Sequence, residues 1–132
     1  MIVVDTSAVV DALAVRPVNR LVHERLAGAG DLCAPHLIDT EFLSVLRRLV
    51  RTGSLHSVTA DAIRNDYAQL TILRFDHLPL SERVWELRHN ASAFDATFIA
   101  LAELLGVPLV TCDERIASIP GLRTAIEVYP AS

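Results

Sequence analysis

The sequence contains no lysine, and all twelve of its basic residues are arginine. That absence removes chemistries that need a primary amine, such as the phosphate-gripping lysine of a P-loop or the lysine beside a receiver domain's phosphorylated aspartate. Cysteine is scarce too. Cys33 and Cys112 are the only two, and each stands in an apolar run that reads as a strand, where a thiol packs as a small hydrophobe; a structural disulfide or zinc site is not expected. Positive charge is in deficit, with a formal net charge of −4, which disfavours holding nucleic acid by phosphate contacts alone. No apolar stretch is long and charge-free enough to span a bilayer, and no Gly-x-Gly-x-x-Gly run supports dinucleotide binding. Internal repeats and linkers with a shift in composition are absent as well. The expectation is a cytoplasmic protein without membrane association, with residues 1–132 forming one domain.

What is present is apolar. Hydrophobic residues make up 52% of the chain and charged ones only 21%, which argues for a densely packed core and against disorder. Short apolar runs alternate with longer stretches of helical period, the pattern of an α/β fold in which helices cover a mostly parallel sheet. The spacing predicts about five strands, at Ile2 to Val4, Leu32 to Ala34, Ile72 to Phe75, Leu109 to Thr111 and Ala125 to Val128. Helices are predicted near Ser7 to Ala14, Val18 to Ala27, Ile38 to Arg51, Thr59 to Leu70, Ser81 to Arg88 and Ala93 to Leu105. The glycines at 28, 30, 53 and 106 read as helix C-caps and turns. The five histidines, at 23, 36, 56, 77 and 89, show no ligand spacing. Trp85, within a helical segment, reads as a packing or interface anchor before a base-stacking platform.

Four carboxylates sit where carboxylates are costly. Asp5 ends the first strand and Asp113 follows the fourth, so both fall just beyond the carboxyl ends of parallel strands, where functional groups of open sheets collect. Each also suits an ordinary helix N-cap, and for Asp113 taken alone the cap is the better reading. Glu41 lies within the apolar stripe Ile38, Phe42, Val45, Leu46 and Leu49, so it needs a proton, an arginine such as Arg48, or a cation. Asp95 follows Ser92 at capping-box spacing at the start of a helix, where an acid also suits the helix dipole. If these four groups converge, their mutual repulsion raises their pKa values until a divalent cation resolves it. Oxygen ligands without histidine or thiolate favour magnesium or manganese over zinc. Such a site suits phosphodiester cleavage, in which the metal polarises a phosphate oxygen and acidifies the attacking water.

These residues carry a resemblance. The chain resembles a PIN domain, specifically the VapC-type toxins of bacterial type II toxin-antitoxin pairs, over nearly its full length. The carriers are Ile2-Val3-Val4-Asp5-Thr6-Ser7-Ala8, Glu41 within Asp39 to Arg48, Phe94-Asp95-Ala96 with Ile99 to Glu103, and Leu109-Val110-Thr111-Cys112-Asp113-Glu114-Arg115. The resemblance implies a three-layer PIN-like fold and a Mg2+-dependent endoribonuclease, with Mn2+ as a substitute. It implies Asp5, Glu41, Asp95 and Asp113 as the acidic set, Asp5 and Asp95 as direct metal ligands, and Thr6, Ser7 and Thr111 in support. It also implies a cognate VapB-type antitoxin and a homodimer. Phe94 stands where many relatives have tyrosine, which removes a hydroxyl but no ligand. Without lysine, arginines such as Arg47, Arg48, Arg51 and Arg115 are the permanent cations available to RNA phosphates, and Arg115, beside Asp113, is the preferred contact. The competing reading is a catalytically silent PIN domain that binds RNA or protein.

Overall fold

The computed structural model describes residues 1–131. Strands β1 (Ile2–Val4), β2 (Leu32–Pro35), β3 (Ile72–Phe75), β4 (Leu109–Thr111) and β5 (Ile126–Val128) form one sheet in the order β3-β2-β1-β4-β5. Every pairing in it is parallel. The helices among the described residues are α1 (Thr6–Leu13), α2 (Arg20–Ala27), α3 (Leu37–Arg51), α4 (Ser57–Gln69), α5 (Ser81–Glu86), α6 (Ala93–Leu105) and α7 (Glu114–Ala117). None of these is long and apolar enough to cross a membrane.

The expected alternation is therefore present, and boundary shifts trace to capping. Asp5 accepts a hydrogen bond from the Thr6 amide, so α1 starts one residue earlier than the spacing suggests. Asn19 caps α2 through the Val22 amide, which moves that helix start from Val18 to Arg20. The stretch ending at Arg88 closes sooner, at Glu86, and a short 3₁₀ turn (Leu78–Leu80) precedes it. Gly106 closes α6 in the left-handed conformation, with φ +67°, which a side chain would strain.

β1, β2 and β4 are buried along their whole length, as strands covered on both faces must be. Helix α6 packs across all three. Seven consecutive residues of it, Ala96 to Ala102, are buried, and the three alanines among these seven are small enough for the backbone to approach the sheet closely. On α3 the buried stripe is Ile38, Phe42 and Leu46. Phe42 stacks on Tyr67 of α4 at 4.0 Å between ring centroids. The Tyr67 hydroxyl donates to Asp39, and the Arg74 guanidinium grips the same carboxylate at 2.7 and 2.8 Å. The Arg74 contact holds the Asp39 carboxyl below its usual range, and the cluster ties α3, α4 and β3 together. Leu21, by contrast, is 69% exposed on α2, and Trp85 is 67% exposed with the Arg88 guanidinium over its ring at 4.6 Å. Neither belongs to the core.

The most enclosed ion pair is Arg83 with Glu103, at 2.7 Å, with the Glu103 side chain 8% exposed. It locks α5 to α6, and the Arg123 amide donates to the same carboxylate. Arg83→Met is expected to cost about 2–3 kcal/mol in urea unfolding, because removing one partner strands a buried charge. A cost under about 0.5 kcal/mol would mean the pair behaves as a surface contact.

Candidate active site

Parallel register sets the first distances. Val4 of β1 lies opposite Val110 of β4, so Asp5 and Thr111 emerge side by side at the carboxyl ends of neighbouring strands. The chain leaves β1 toward β2 and β3 on one side and toward β4 and β5 on the other. The crevice between β1 and β4 is thus the switch point at which open parallel sheets bind ligands.

Asp5 is 6% exposed. One oxygen accepts from the Thr6 amide at 2.8 Å, and the other from Ser7 Oγ at 2.8 Å and Thr111 Oγ1 at 2.7 Å. Those hydroxyls are themselves oriented: the Cys112 amide donates to Ser7 Oγ and the Asp113 amide to Thr111 Oγ1. Each hydroxyl therefore accepts from backbone and donates to Asp5, so two short chains cross from β4 to β1. Burial nevertheless raises the Asp5 pKa, and the charge of Asp95 adds to that while the hydroxyl bonds oppose it.

Glu41 reaches the same crevice from α3. It is half-buried at the edge of the apolar stripe and accepts from Thr6 Oγ1 at 2.7 Å. No ion pair to Arg48 forms. Burial raises its pKa, and Asp5 and Asp95 raise it further against the Thr6 bond. Asp95 stands in the first turn of α6, where its amide donates to Ser92 Oγ at 3.1 Å, as capping-box spacing predicts. Burial and the neighbouring Asp113 raise its pKa, and Arg115 relieves part of this. Asp113 caps α7 through the Arg115 amide, and the Arg115 guanidinium grips it at 3.0 and 2.7 Å. That grip holds Asp113 below the usual carboxylate range. The cap readings of Asp5, Asp95 and Asp113 thus hold together with their convergence, since a cap uses only part of a carboxylate or only the backbone.

All four carboxylates line one cleft of about 560 Å³, with Thr6, Ser7, Ser44, Arg48 and Arg115 among its other walls. Thr111 stands behind it, fully buried. Among the described residues, no three acidic, histidine or cysteine side chains stand close enough together to cage an ion. The donor set is nevertheless hard oxygen throughout, and three of its members are driven toward the neutral form. Such a set fits a cation like magnesium, which keeps several waters and takes one or two carboxylates with substrate phosphates completing its shell.

Sequence reasoning missed Asp11. It lies one turn beyond Ser7 on α1, lines the same cleft, is 6% exposed, and its Oδ2 has no hydrogen-bond partner. Burial, with Asp11 next in effect, pushes the Cys112 thiol up to about 12. The available signal was an aspartate inside Val9-Val10-Asp11-Ala12-Leu13, on the face that carries Ser7.

Comparison with known proteins decides the family. The PIN domain family model matches residues 2–122. The chain is 41% identical over 127 residues to Ribonuclease VapC1 of Mycobacterium tuberculosis H37Rv, covering 96% of each chain. The chain belongs to the PIN-domain family, within its VapC ribonucleases. Ribonuclease VapC9 of the same strain is 38% identical over 130 residues, covering 98% of this chain and 99% of that one. Solved structures share the fold. PAE2754 from Pyrobaculum aerophilum superposes with a TM-score of 0.72 at 23% identity, over 96% of this chain and 83% of that one. VapBC2 from Rickettsia felis, bound to a DNA fragment from its promoter, gives 0.67 at 15% identity, over 98% and 99%. The three-layer PIN-like architecture expected from the motifs is the one observed.

Two outcomes follow for the PIN-domain cleft. Glu41→Gln keeps an acceptor for Thr6 but removes a charge that burial opposes. Because the folded pKa of Glu41 is raised, the metal-free wild type loses stability as pH climbs from the ordinary carboxylate range through that folded value. In EDTA the variant should match wild type near about pH 4 and melt higher at about pH 7; a Tm difference that does not change with pH would contradict this. Thr111→Val, close in shape, removes one donor from Asp5; where the cleft holds a divalent cation, the variant is expected to bind it about 10–100-fold more weakly by calorimetry.

Proposed function

We propose that the chain is the toxin of a toxin-antitoxin pair and acts as a divalent-metal-dependent endoribonuclease. The observation that carries this reading is the convergence of Asp5, Glu41, Asp95 and Asp113 on one cleft at the sheet's switch point, three of them with raised pKa. A crevice of carboxylates that resist ionisation is costly for a protein that only binds RNA, whose phosphates are themselves anionic. The ribonuclease names of relatives at 38–41% identity support the chemistry, and a neighbour solved as a VapBC pair supports an antitoxin.

In this reading Asp5 and Asp95 would hold magnesium, or manganese in its place, and Glu41 and Asp113 complete the acidic set. The metal supplies Lewis-acid polarisation of the phosphate and acidification of the attacking water. The protein's own groups prepare the site. Ser7 and Thr111 fix the Asp5 carboxylate in one orientation, and Thr6 does the same for Glu41 while its amide caps the other Asp5 oxygen. Asp113, whose pKa Arg115 lowers, is the carboxylate of the four that ionises most readily before any cation arrives. Asp113 engages Arg115 through Nε and Nη2, which leaves Nη1 of that guanidinium for an incoming phosphate. A VapB-type antitoxin, a homodimeric toxin and a cytoplasmic site of action complete the proposal, as the resemblance implies.

Purified protein is expected to cut total RNA with magnesium or manganese and to stop with EDTA. Asp5→Asn and Asp95→Asn should each lower the cleavage rate by at least about 100-fold, since even outer-shell changes at metal sites reach that size. Wild-type cleavage should also rise with pH through the acidic range, because the raised carboxylates must ionise before a cation binds. RNA retained without cutting, under every metal condition, would instead support the silent binding module.

A further inference from the structure

One cation in the cleft has no internal task. Glu41, Ser44, Val45, Arg48 and Leu49 all line it, a spacing that places them on one face of α3. Arg48 is exposed there, and among the described residues its guanidinium makes neither a hydrogen bond nor an ion pair. The contrast with Arg115 is direct, since Asp113 engages two nitrogens of that guanidinium. Asp11, whose Oδ2 lacks any partner, lines the cleft as well, yet the two do not pair. Arg48 sits two helical turns from Glu41, about 10 Å along the axis. A group at Arg48 is therefore displaced from the reacting centre but continuous with it.

We propose that Arg48 forms a phosphate-binding subsite, which takes a backbone phosphate of the RNA strand next to the one being cleaved. The inference rests on the endoribonuclease reading and adds the element that reading lacks. Five carboxylates line the cleft, at positions 5, 11, 41, 95 and 113, and their field repels a polyanion. Without lysine, permanent side-chain charge that adds to the cation's has to come from arginine, and a guanidinium presents its donors in a fork that matches two phosphate oxygens. Because the contact lies outside the reacting phosphate, it holds ground state and transition state alike. Its loss should appear in KM and leave kcat nearly unchanged.

The test uses the full chain carrying Asp95→Asn, which the endoribonuclease reading makes inactive, with and without Arg48→Ala. Binding of a fluorescein-labelled oligouridylate is followed by anisotropy across a salt series with magnesium present. Loss of one phosphate contact on a single strand lowers the slope of log K against log salt by about 0.7. Arg48→Ala is expected to show that drop together with about tenfold weaker binding, and Arg48→Lys to recover the slope but only part of the affinity. Arg47→Ala is the control, because Arg47 lines a separate groove with Leu43, Leu46 and Val50; its slope should match the parent. In the otherwise wild-type enzyme, Arg48→Ala should raise KM about tenfold with kcat within about twofold. An unchanged slope in Arg48→Ala, or an equal drop in Arg47→Ala, overturns the subsite. If the parent fails to bind oligouridylate even at low salt, the RNA reading of the cleft itself falls, and the subsite with it.

Discussion

A carboxylate that is 6% exposed at the end of the central strand is the constraint around which this protein is organised. Asp5 can stay there because its three donors are fixed by backbone and by neighbouring strand ends. Two of those donors, Ser7 and Thr111, are oriented by amides just beyond β4. The β1–β4 pairing is therefore part of the site as well as of the sheet. A slip of one residue in that register would turn Thr111 away from Asp5 and leave an unsatisfied buried charge.

The same crevice stores unfavourable electrostatics. Burial raises the pKa of Asp5, Glu41 and Asp95; the charge of Asp95 adds to this at Asp5, Asp5 and Asp95 add to it at Glu41, and Asp113 adds to it at Asp95, where Arg115 relieves part. Native proteins tolerate such strain at functional sites when the surrounding structure over-determines it. Here that structure is a sheet buried on both faces, with α6 packed across three of its strands. The carboxylates also stop short of forming a closed cage among the described residues, which on the proposed metal-dependent reading would leave coordination positions for water and substrate.

Arginine performs two separate jobs in a chain without lysine. Arg25 with Glu127, Arg74 with Asp39 and Arg83 with Glu103 each join two elements through a forked contact. The planar fork suits this use, because one side chain fixes a carboxylate in orientation as well as position. Arg48 follows the other pattern, since it stands on the cleft wall and, among the described residues, pairs with no carboxylate. The net charge of −4 hides this division, because among the described residues half of the arginines are held in ion pairs with the chain's own carboxylates.

Sequence determined much of this by itself. Strand periodicity, helix caps and the placement of Asp5 and Asp113 after apolar runs follow from local chemistry, and local rules read them within a few residues. Glu41 was legible because a charge within an apolar stripe is anomalous wherever the helix packs. Tertiary structure alone decided the rest. That Thr6 serves both Asp5 and Glu41, that Arg115 is occupied by Asp113 while Arg48 is not, and that Asp11 is buried without a partner are facts of side chains from distant segments. Trp85 and Leu21 show the same limit, since a helical period gives a face but not what covers it. The physical reason is range: capping and periodicity act over a few residues, whereas burial and charge repulsion depend on which segments the β3-β2-β1-β4-β5 order brings together.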